Sequence, residues 1–280
     1  MGCQPLFDDT NAMITCLYAG LGVAIAMVFA WLLQRETKNS GWVDVVWTLS
    51  SSIALASVAL AASGVVWRQI ILAVILLVWG VRLGGYVAWR VATQPEDARY
   101  ALMRQTAGSG FQRQMAWLIA GQGPATGIMS LGVYLAAAQP APFLRFSDIM
   151  GAVVILVALA GEGVADFQLK SWKSKQKTKG GICMIGLWSL CRHPNYFCEA
   201  LFWVAFPLIA ISSNPLTWLA LISPLSMFLV LRYLTGVPPL EAAMLARRGE
   251  VYRDYQAQTN AMWPSFKKRA LISRPQIHNP

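Results

Sequence analysis

Long apolar segments separated by short polar ones are the main pattern of this chain. An α-helix needs about 20 apolar residues to cross roughly 30 Å of hydrocarbon, and seven segments approach that length. Backbone amides in lipid must be bonded within a helix or a closed barrel, and these runs lack the alternation of barrel strands, so each should be helical. The predicted spans of this all-α, polytopic membrane protein are Asn11–Leu33, Trp42–Ser63, Gln69–Trp89, Met115–Ala137, Ile149–Gln168, Tyr196–Ser212 and Leu216–Leu234.

Basic residues in the connections predict the orientation of these seven transmembrane helices. Nearly all of the 23 Lys and Arg residues fall in the first, third and fifth connections and in the C-terminal segment, whereas Arg68 and Arg145 lie in connections on the other side. Positively charged loops stay in the cytoplasm, so we expect the N-terminus outside and the C-terminus in the cytoplasm. The longer polar loops, and any site for a water-soluble cofactor, are then cytoplasmic. Without a repeat or a long linker, residues 1–280 should form a single transmembrane domain.

The composition supports the membrane assignment and excludes several other classes. Hydrophobic residues make up 56% and charged residues 13% of the 280 residues, and the mean hydropathy is +0.48. Soluble domains have about a quarter charged residues. The net charge of +10 lies in short gaps between spans rather than on a solvated basic face, so nucleic acid is not an expected partner. Five Cys without a CxxC pair, and two His, predict neither a disulfide framework nor a metal site.

Ionisable side chains within the predicted spans are the first indication of function. Glu162 and Asp166 lie four residues apart on one face of the fifth span, and Asp44, Arg82 and Glu199 lie in other spans. Such groups cost about 2.5–3.5 kcal/mol each on insertion scales, and they usually line internal cavities or pair between helices. The acidic stripe therefore favours a polar pocket near the cytoplasmic end of the fifth helix, with interhelical ion pairing as the alternative.

The densest polar cluster is RHPNYFCE at residues 192–199, which opens the sixth predicted helix. Proline suits the first helical turn, so Asn195 and Glu199, and likewise Arg192 and Tyr196, share a face. A cation, an amide and a phenol then surround the unbonded backbone N–H groups of a helix start, a setting that suits an anionic or nucleotide ligand. Each residue alone is also common at a membrane interface, so the prediction depends on the whole set.

A third polar element covers residues 241–255, after the last span. Tyr252 and Tyr255 are three residues apart, so they share a helical face that could border a cytoplasmic pocket. A helix lying on anionic lipid is the alternative for this basic stretch. Since the chain has no Gly-rich Rossmann fingerprint and no P-loop motif, a nucleotide would be held by neither of those folds.

Several of these motifs resemble one known family. GLWSLCRHPNYFCE at 186–199, the acidic stripe before it and the ending RRGEVYRDYQAQTNAMWPSF resemble the steroid 5-alpha-reductase family, particularly bacterial members that carry a domain-of-unknown-function label. DVVW at 44–47 and RLGGYVAWR at 82–90 fit the bacterial pattern. The resemblance implies a seven-helix protein of the bacterial inner membrane that binds NADPH from the cytoplasmic side. Its implied reaction is reduction of the carbon–carbon double bond of a 3-oxo-delta-4 steroid or a similar lipophilic enone.

The resemblance also implies candidate residues. Asn195 and Glu199 match the family's cofactor-binding signature, and Asp166 matches an acid of the preceding helix. The family orients the substrate's carbonyl group with an acid of the second helix and a tyrosine of the third. Asp44, kept protonated by burial, and Tyr86 are the catalytic candidates by chemistry and approximate position. The expected cofactor-binding residues are Glu162, Asp166, Lys170, Lys173, Arg192, His193, Asn195, Tyr196, Glu199, Tyr252 and Tyr255, mainly within 160–260.

Two other classes stay open, and the RHPNY region is also similar to that of sterol reductases acting on other ring positions. Isoprenylcysteine and phospholipid methyltransferases carry a similar RHPxY motif, followed by an acidic tail with tyrosines, and bind S-adenosylmethionine there. A lipid-binding or transport protein would instead use the charges within the spans to line a path. The NADPH-dependent reductase is the leading interpretation, with a lipophilic steroid-like substrate and membrane lipid as its partners and no obligate protein partner.

Overall fold

The computed structural model describes residues 9–175 and 181–266, and all regular secondary structure in these ranges is helical. Short 3₁₀ and π segments join the α-helices. The α-helices of the described ranges are α1 Asp9–Thr37, α2 Gly41–Ala61, α3 Val66–Thr93, α4 Ala98–Ala107, α5 Phe111–Ala137, α6 Phe146–Lys175, α7 Pro194–Ala210, α8 Ile222–Leu229, α9 Val237–Arg248 and α10 Glu250–Gln258. The all-α class predicted from the apolar pattern is confirmed.

Five helical segments of the described chain are long and apolar enough to cross a membrane. They are Thr10–Thr37, Gly41–Ala61, Val66–Thr93, Phe146–Lys175 and Pro215–Arg248. The fourth and sixth predicted spans correspond to α5 and α7. These segments are helical but are not both long enough and apolar enough to cross a membrane. α5 has 27 residues but contains several Gln and Gly, and α7 has only 17 residues. The apolar helices support a membrane protein, while the count of seven spans and their orientation stay predictions.

The connection between α3 and α5 contains a helix that the apolar pattern does not show. Asp97 accepts a hydrogen bond from the backbone N–H of Arg99, as an N-cap residue does, and α4 begins at the residue between them. Arg99 and Tyr100 then bond to Asp44 of α2. The polar connection expected here is therefore a short helix that is anchored on α2 by its first turn.

Contacts within the protein divide the chain into two compact units. The first unit contains Met1–Val154 and Trp203–Met227, and the second contains Ile155–Phe202 and Phe228–Pro280. The predicted catalytic residues belong to the first unit, and all the predicted cofactor-binding residues belong to the second. The single domain expected from the sequence stays a prediction.

Small residues let α1 and α5 pack closely in the first unit. A Cβ atom added at Gly123 of α5 would lie 2.7 Å from the Gly20 carbonyl oxygen and 2.8 Å from the Ala24 Cβ. A Cβ added at Gly127 would lie 3.2 Å from the Cys16 carbonyl oxygen. Because lipid supplies no hydrophobic force between helices, such close backbone approach is a main source of helix association in membranes.

We expect Gly123→Ala to destabilise the protein, because the added methyl group has no room between α1 and α5. Overpacking of this kind costs about 1–3 kcal/mol. Gly121→Ala is the matched control on the same helix, since a Cβ there meets nothing within 4 Å. Thermal unfolding in detergent measures both variants, and equal midpoints would contradict the close packing of these helices.

Candidate functional site

Hydrogen bonds hold the segment before α7 against α6 in the second unit. Trp188 donates its indole N–H to the Ala165 carbonyl oxygen at 2.8 Å, and the Leu187 N–H donates to Gln168 Oε1 at 2.9 Å. Gly186 adopts a φ of +54°, and a Cβ there would collide with the Gln168 side chain, so glycine is needed in this turn. The sequence GLWS thereby fixes the turn that leads into α7.

Glu241 of α9 is bonded to three polar side chains of the second unit. Its Oε1 accepts hydrogen bonds from Arg192 Nε at 2.6 Å and from His193 Nε2 at 3.0 Å, and its Oε2 accepts from Gln256 at 2.6 Å. The Glu241 residue is buried, so these charge-assisted bonds replace its hydration. One carboxylate therefore ties the residues that precede α7 to α9 and α10.

Backbone hydrogen bonds fasten the same residues to the chain that follows α10. The N–H groups of Arg192 and His193 donate to the carbonyl oxygens of Asn260 and Ala261 at 3.0 and 2.9 Å. Arg192 Nη1 also donates to the Gln256 carbonyl oxygen at 3.1 Å. Arg192 thus uses Nε and Nη1 on protein partners, which is a structural role, and its binding of a cofactor phosphate stays a prediction.

Two buried acceptor atoms at the start of α7 have no hydrogen-bond partner in the described part of the chain, namely His193 Nδ1 and Asn195 Oδ1. Burial is the largest effect on His193 and lowers its pKa below the ordinary 6.5 despite the opposing Glu241 carboxylate, so the ring is neutral near pH 7. Because Glu241 accepts the proton on Nε2, Nδ1 is a bare acceptor. Each unmet buried acceptor costs about 1–3 kcal/mol, which a donor on a ligand would offset.

The acids predicted from α6 and α7 are all buried in the second unit. Glu162 and Asp166 of α6 are 4% and 7% exposed, and Glu199 of α7 is 6% exposed. The two helices touch beside these residues, because a Cβ added at Gly161 would lie 2.7 Å from Cys198 Sγ. Each of the three acids has a polar or electrostatic contact. The structure therefore brings the acidic stripe of α6 and the acid of α7 onto two touching helices.

The remaining predicted residues of α6 and α7 differ in exposure. Lys170 and Lys173 of α6 are exposed, so an anionic ligand could reach them. Tyr196 is half-buried and stacks on the His193 ring, with centroids 5.3 Å apart and planes inclined by 14°. This stack, together with the Glu241 bond, fixes the orientation of the imidazole and hence the direction of its Nδ1 lone pair.

Tyr252 and Tyr255 of α10 face the interior of the second unit. Both are 2% exposed, their ring centroids are 5.9 Å apart, and the Tyr255 hydroxyl donates to the Trp188 carbonyl oxygen at 3.0 Å. Burial, the largest effect, and the Glu241 charge raise the pKa of Tyr252, so its phenol keeps its proton. The aromatic side of α10 is packed within the protein, which does not fit a helix that lies on lipid through that side.

The predicted catalytic acid of the first unit is part of an ion pair. Asp44 Oδ2 lies 2.8 Å from Arg99 Nη2, and the Tyr100 hydroxyl donates to Asp44 Oδ1 at 2.7 Å. Both oxygens accept, which is the bonding of an ionised carboxylate rather than of a protonated donor. The role of Asp44 as a general acid stays a prediction that this geometry does not support. Tyr86, the other candidate, stacks on Trp89 with ring centroids 6.1 Å apart.

A second carboxylate completes the ion-pair network around Arg99. Asp97 Oδ1 lies 3.0 Å from Arg99 Nε, and Asp97 Oδ2 lies 3.1 Å from Arg90 Nη2. Burial acts to raise the pKa of Asp97, but the charges of Arg99 and Arg90 outweigh it and hold this pKa well below its usual range. Burial, followed by the Asp44 charge, raises the pKa of Tyr100 and keeps the phenol a donor. The network therefore keeps the Asp97 carboxylate charged and the Tyr100 phenol protonated.

Sequence analysis missed three residues that organise these clusters, namely Arg99, Tyr100 and Glu241. A carboxylate within a span needs a partner, so the basic residues of the polar connection after the third span were a usable signal for Arg99. Glu241 is the first residue of the third polar element, but no signal in the sequence indicated its partners. It follows the two prolines that begin α9, and its partner Arg192 is 49 residues away in sequence.

The apolar helices and the buried polar clusters define a class, a helical membrane protein with polar groups concentrated inside it. Residues 30–259 match the family described as "Protein of unknown function (DUF1295)". The match covers most of the chain, so the protein belongs to that family. Neither the curated proteins nor the solved structures give a significant match. The resemblance to a family of unknown function is thus confirmed, and steroid reduction belongs to the proposal below.

We expect Glu241→Ala to destabilise the protein, because Arg192 and His193 lose their shared acceptor. Removing one partner of a buried ion pair costs about 3–5 kcal/mol. Glu250→Ala is the control, since Glu250 pairs with Arg253 at a side-chain exposure of 76% and should matter little. If the two variants unfold at the same temperature in detergent, Glu241 does not hold the second unit together.

The free energy of unfolding should also fall at acidic pH, because His193 is buried in its neutral form. Burial lowers the pKa of folded His193, so the unfolded chain takes up this proton first once the pH falls below about 6.5. The stability from the neutral ring is present above that pH and is lost as the pH falls toward the folded pKa. Unfolding midpoints measured from about pH 8 to about pH 5.5 should decrease, and less steeply in His193→Gln. Identical slopes in the two proteins would refute this role of His193.

Proposed function

We propose that this protein is a membrane-embedded reductase that uses NADPH to reduce the carbon–carbon double bond of a lipophilic enone, with a 3-oxo-delta-4 steroid as the leading substrate class. The observation that carries the proposal is the pair of buried acceptors without a partner among the described residues, His193 Nδ1 and Asn195 Oδ1. Both belong to the RHPNYFCE motif, which resembles the cofactor-binding signature of steroid 5-alpha-reductases. A nucleotide that donates to these atoms would remove the cost of their burial.

A phosphorylated dinucleotide carries hydrogen-bond donors for the two buried acceptors at the start of α7 and phosphates for the cations beside them. The adenine amino group, the nicotinamide carboxamide and the ribose hydroxyls all donate hydrogen bonds, which suits His193 Nδ1 and Asn195 Oδ1. The N–H groups of the first turn of α7 favour anions, and the exposed ammonium groups of Lys170 and Lys173 add positive charge for phosphates. The residues present therefore fit NADPH in both hydrogen bonding and charge.

The buried acids would complete the binding of the nucleotide. Glu162, Asp166 and Glu199 carry oxygens that can accept from ribose hydroxyls or from amide N–H groups. Because these acids are buried, the uncharged parts of the ligand that donate hydrogen bonds are favoured beside them, and the phosphates are disfavoured there. In this proposal the acids orient the sugar and base portions, while the lysines and the start of α7 meet the phosphates.

The reaction needs a donor at the carbonyl oxygen of the enone. Bound NADPH would supply a hydride for the beta carbon, and a proton taken up from solvent would be added at the alpha carbon, so that the enone, NADPH and H⁺ give the saturated ketone and NADP⁺. Negative charge develops on the carbonyl oxygen during this step, so a hydrogen-bond donor there lowers the barrier. Tyr86 has a phenolic O–H that suits this role, whereas Asp44 already accepts from Arg99 and Tyr100.

NADPH should raise the unfolding temperature of the detergent-solubilised protein. A ligand that binds only the folded state stabilises it by about 2.7 kcal/mol at one hundred times its Kd. Asn195→Ala and Glu199→Ala should each abolish this protection and still yield folded protein, because they remove groups that bind the nucleotide. Asn260→Ala is the control, an exposed asparagine of the same unit that should leave the protection unchanged.

Three outcomes would reject the proposal in different ways. NADPH protection that survives in both Asn195→Ala and Glu199→Ala would move the site away from α7. Stronger protection by S-adenosylmethionine than by NADPH would favour methyl transfer, since that ligand also carries an adenine amino donor. Binding of NADPH without its oxidation by any member of a panel of lipophilic enones would exclude the reductase and leave only nucleotide binding.

A further inference from the structure

Two tryptophans of the first unit carry buried N–H groups without an acceptor in the described part of the chain, Trp31 of α1 and Trp47 of α2. α1 ends at Thr37 and α2 begins at Gly41, so each tryptophan lies six residues from the connection. At about 1.5 Å per residue, both lie roughly 9 Å along their helix from that connection. α1 and α2 pack against each other, so the two tryptophans lie at one level of neighbouring helices, at equal distances from the connection.

Both indole rings pack against one apolar cluster of the first unit. The cluster consists of Val23, Met27, Ala30, Val43, Tyr100, Phe111, Met115 and Ile119. A buried N–H donor without an acceptor is costly, and buried tryptophans usually find a hydrogen-bond partner. Phenylalanine would fill similar space without that cost. Two such donors at one level therefore indicate a ligand atom that accepts from them.

Ring contacts hold the two indoles in fixed orientations. Trp47 meets Trp79 edge to face, with centroids 6.4 Å apart and planes at 88°, and Trp79 meets Trp203 in the same way at 5.6 Å and 81°. The guanidinium carbon of Arg35 lies 4.6 Å from the centroid of the Trp31 ring. Because the rings are held, their N–H groups are positioned before any ligand arrives.

We propose that the indole N–H groups of Trp31 and Trp47 bind the carbonyl oxygen of an uncharged lipophilic ketone within the first unit. A carbonyl oxygen has two lone pairs, so it can accept from both donors at once. The two donors are neutral and both rings pack against the apolar cluster, so an uncharged carbonyl oxygen loses less hydration there than a carboxylate or phosphate. The choice of an enone as this ketone rests on the proposed reductase function.

The same two donors would assist the reduction. Negative charge on the carbonyl oxygen would be stabilised by both N–H groups, and neither indole gives up its proton. The indoles would then polarise the carbonyl in place of Asp44, whose oxygens are occupied by Arg99 and Tyr100. They would also replace the Tyr86 phenol, because two indole N–H groups use both lone pairs of the oxygen. Trp31 and Trp47 are in this account substrate-binding residues. Trp47 ends the DVVW motif, whereas no sequence motif includes Trp31.

Trp31→Phe and Trp47→Phe test the assignment, because each removes one N–H and keeps an aromatic ring. Trp117→Phe is the control, since that side chain of α5 is 76% exposed. Affinity is measured by thermal shift without NADPH, for a 3-oxo-delta-4 steroid and for the same steroid without its 3-oxo group. Each test variant should bind the ketone about fivefold to tenfold more weakly than the wild type. The affinity of each test variant for the steroid without the oxo group should equal that of the wild type. The control Trp117→Phe should bind both steroids as tightly as the wild type does.

Wild-type protein that binds both steroids equally would overturn the assignment, and so would test variants that bind the ketone as the wild type does. If a variant does not fold, the carbonyl stretching frequency of the ketone bound to wild-type protein decides. Two hydrogen bonds should lower it from its value in hydrocarbon solvent, and an unchanged frequency would reject the site. NADPH protection is measured separately on the same proteins. Its absence throughout, with ketone binding still dependent on the tryptophans, would reject the reductase and retain this site.

Discussion

The arrangement at the start of α7 depends on the Glu241 carboxylate. One of its oxygens accepts from both Arg192 and His193, and the other accepts from Gln256. Because Glu241 accepts the hydrogen bond from the N–H at His193 Nε2, the Nδ1 atom carries no proton and is an acceptor. A ligand at this atom would therefore have to donate a hydrogen bond. A ligand that donates hydrogen bonds is favoured, and one that only accepts is not. A structural ion pair in this way sets the chemistry of the neighbouring site.

Both units have buried polar atoms without a partner among the described residues. In the second unit they are the acceptors His193 Nδ1 and Asn195 Oδ1 and the hydroxyl of Thr259, and in the first they include the donors Trp31 Nε1 and Trp47 Nε1. The acceptors suit the amino, amide and hydroxyl groups of a nucleotide, and the donors suit a carbonyl oxygen.

The sequence was most informative where a single physical rule governs many residues. Lipid requires helices of apolar residues, so the all-helical class and the long apolar helices of the described chain could be predicted, whereas the short polar helix α4 could not. It was least informative about which side chains meet. Glu241 pairs with a residue 49 positions away, and Asp44 pairs with Arg99, 55 positions away, in a helix that its polar sequence hid. Local spacing could place Asn195 and Glu199 on one face, but it could not show that an asparagine oxygen there lacks a partner.

The RHPNY motif also does not predict which hydrogen bonds its side chains make. The RHPNY run marks Arg192 as a phosphate ligand by its charge, yet the structure uses its Nε and Nη1 on Glu241 and on a backbone carbonyl. The most direct test of the central claim is an experimental structure of the protein with NADPH in lipid nanodiscs. The account predicts nucleotide donors about 3 Å from Asn195 Oδ1 and from His193 Nδ1. A nucleotide bound elsewhere, with both atoms occupied by water or by protein groups, would contradict it.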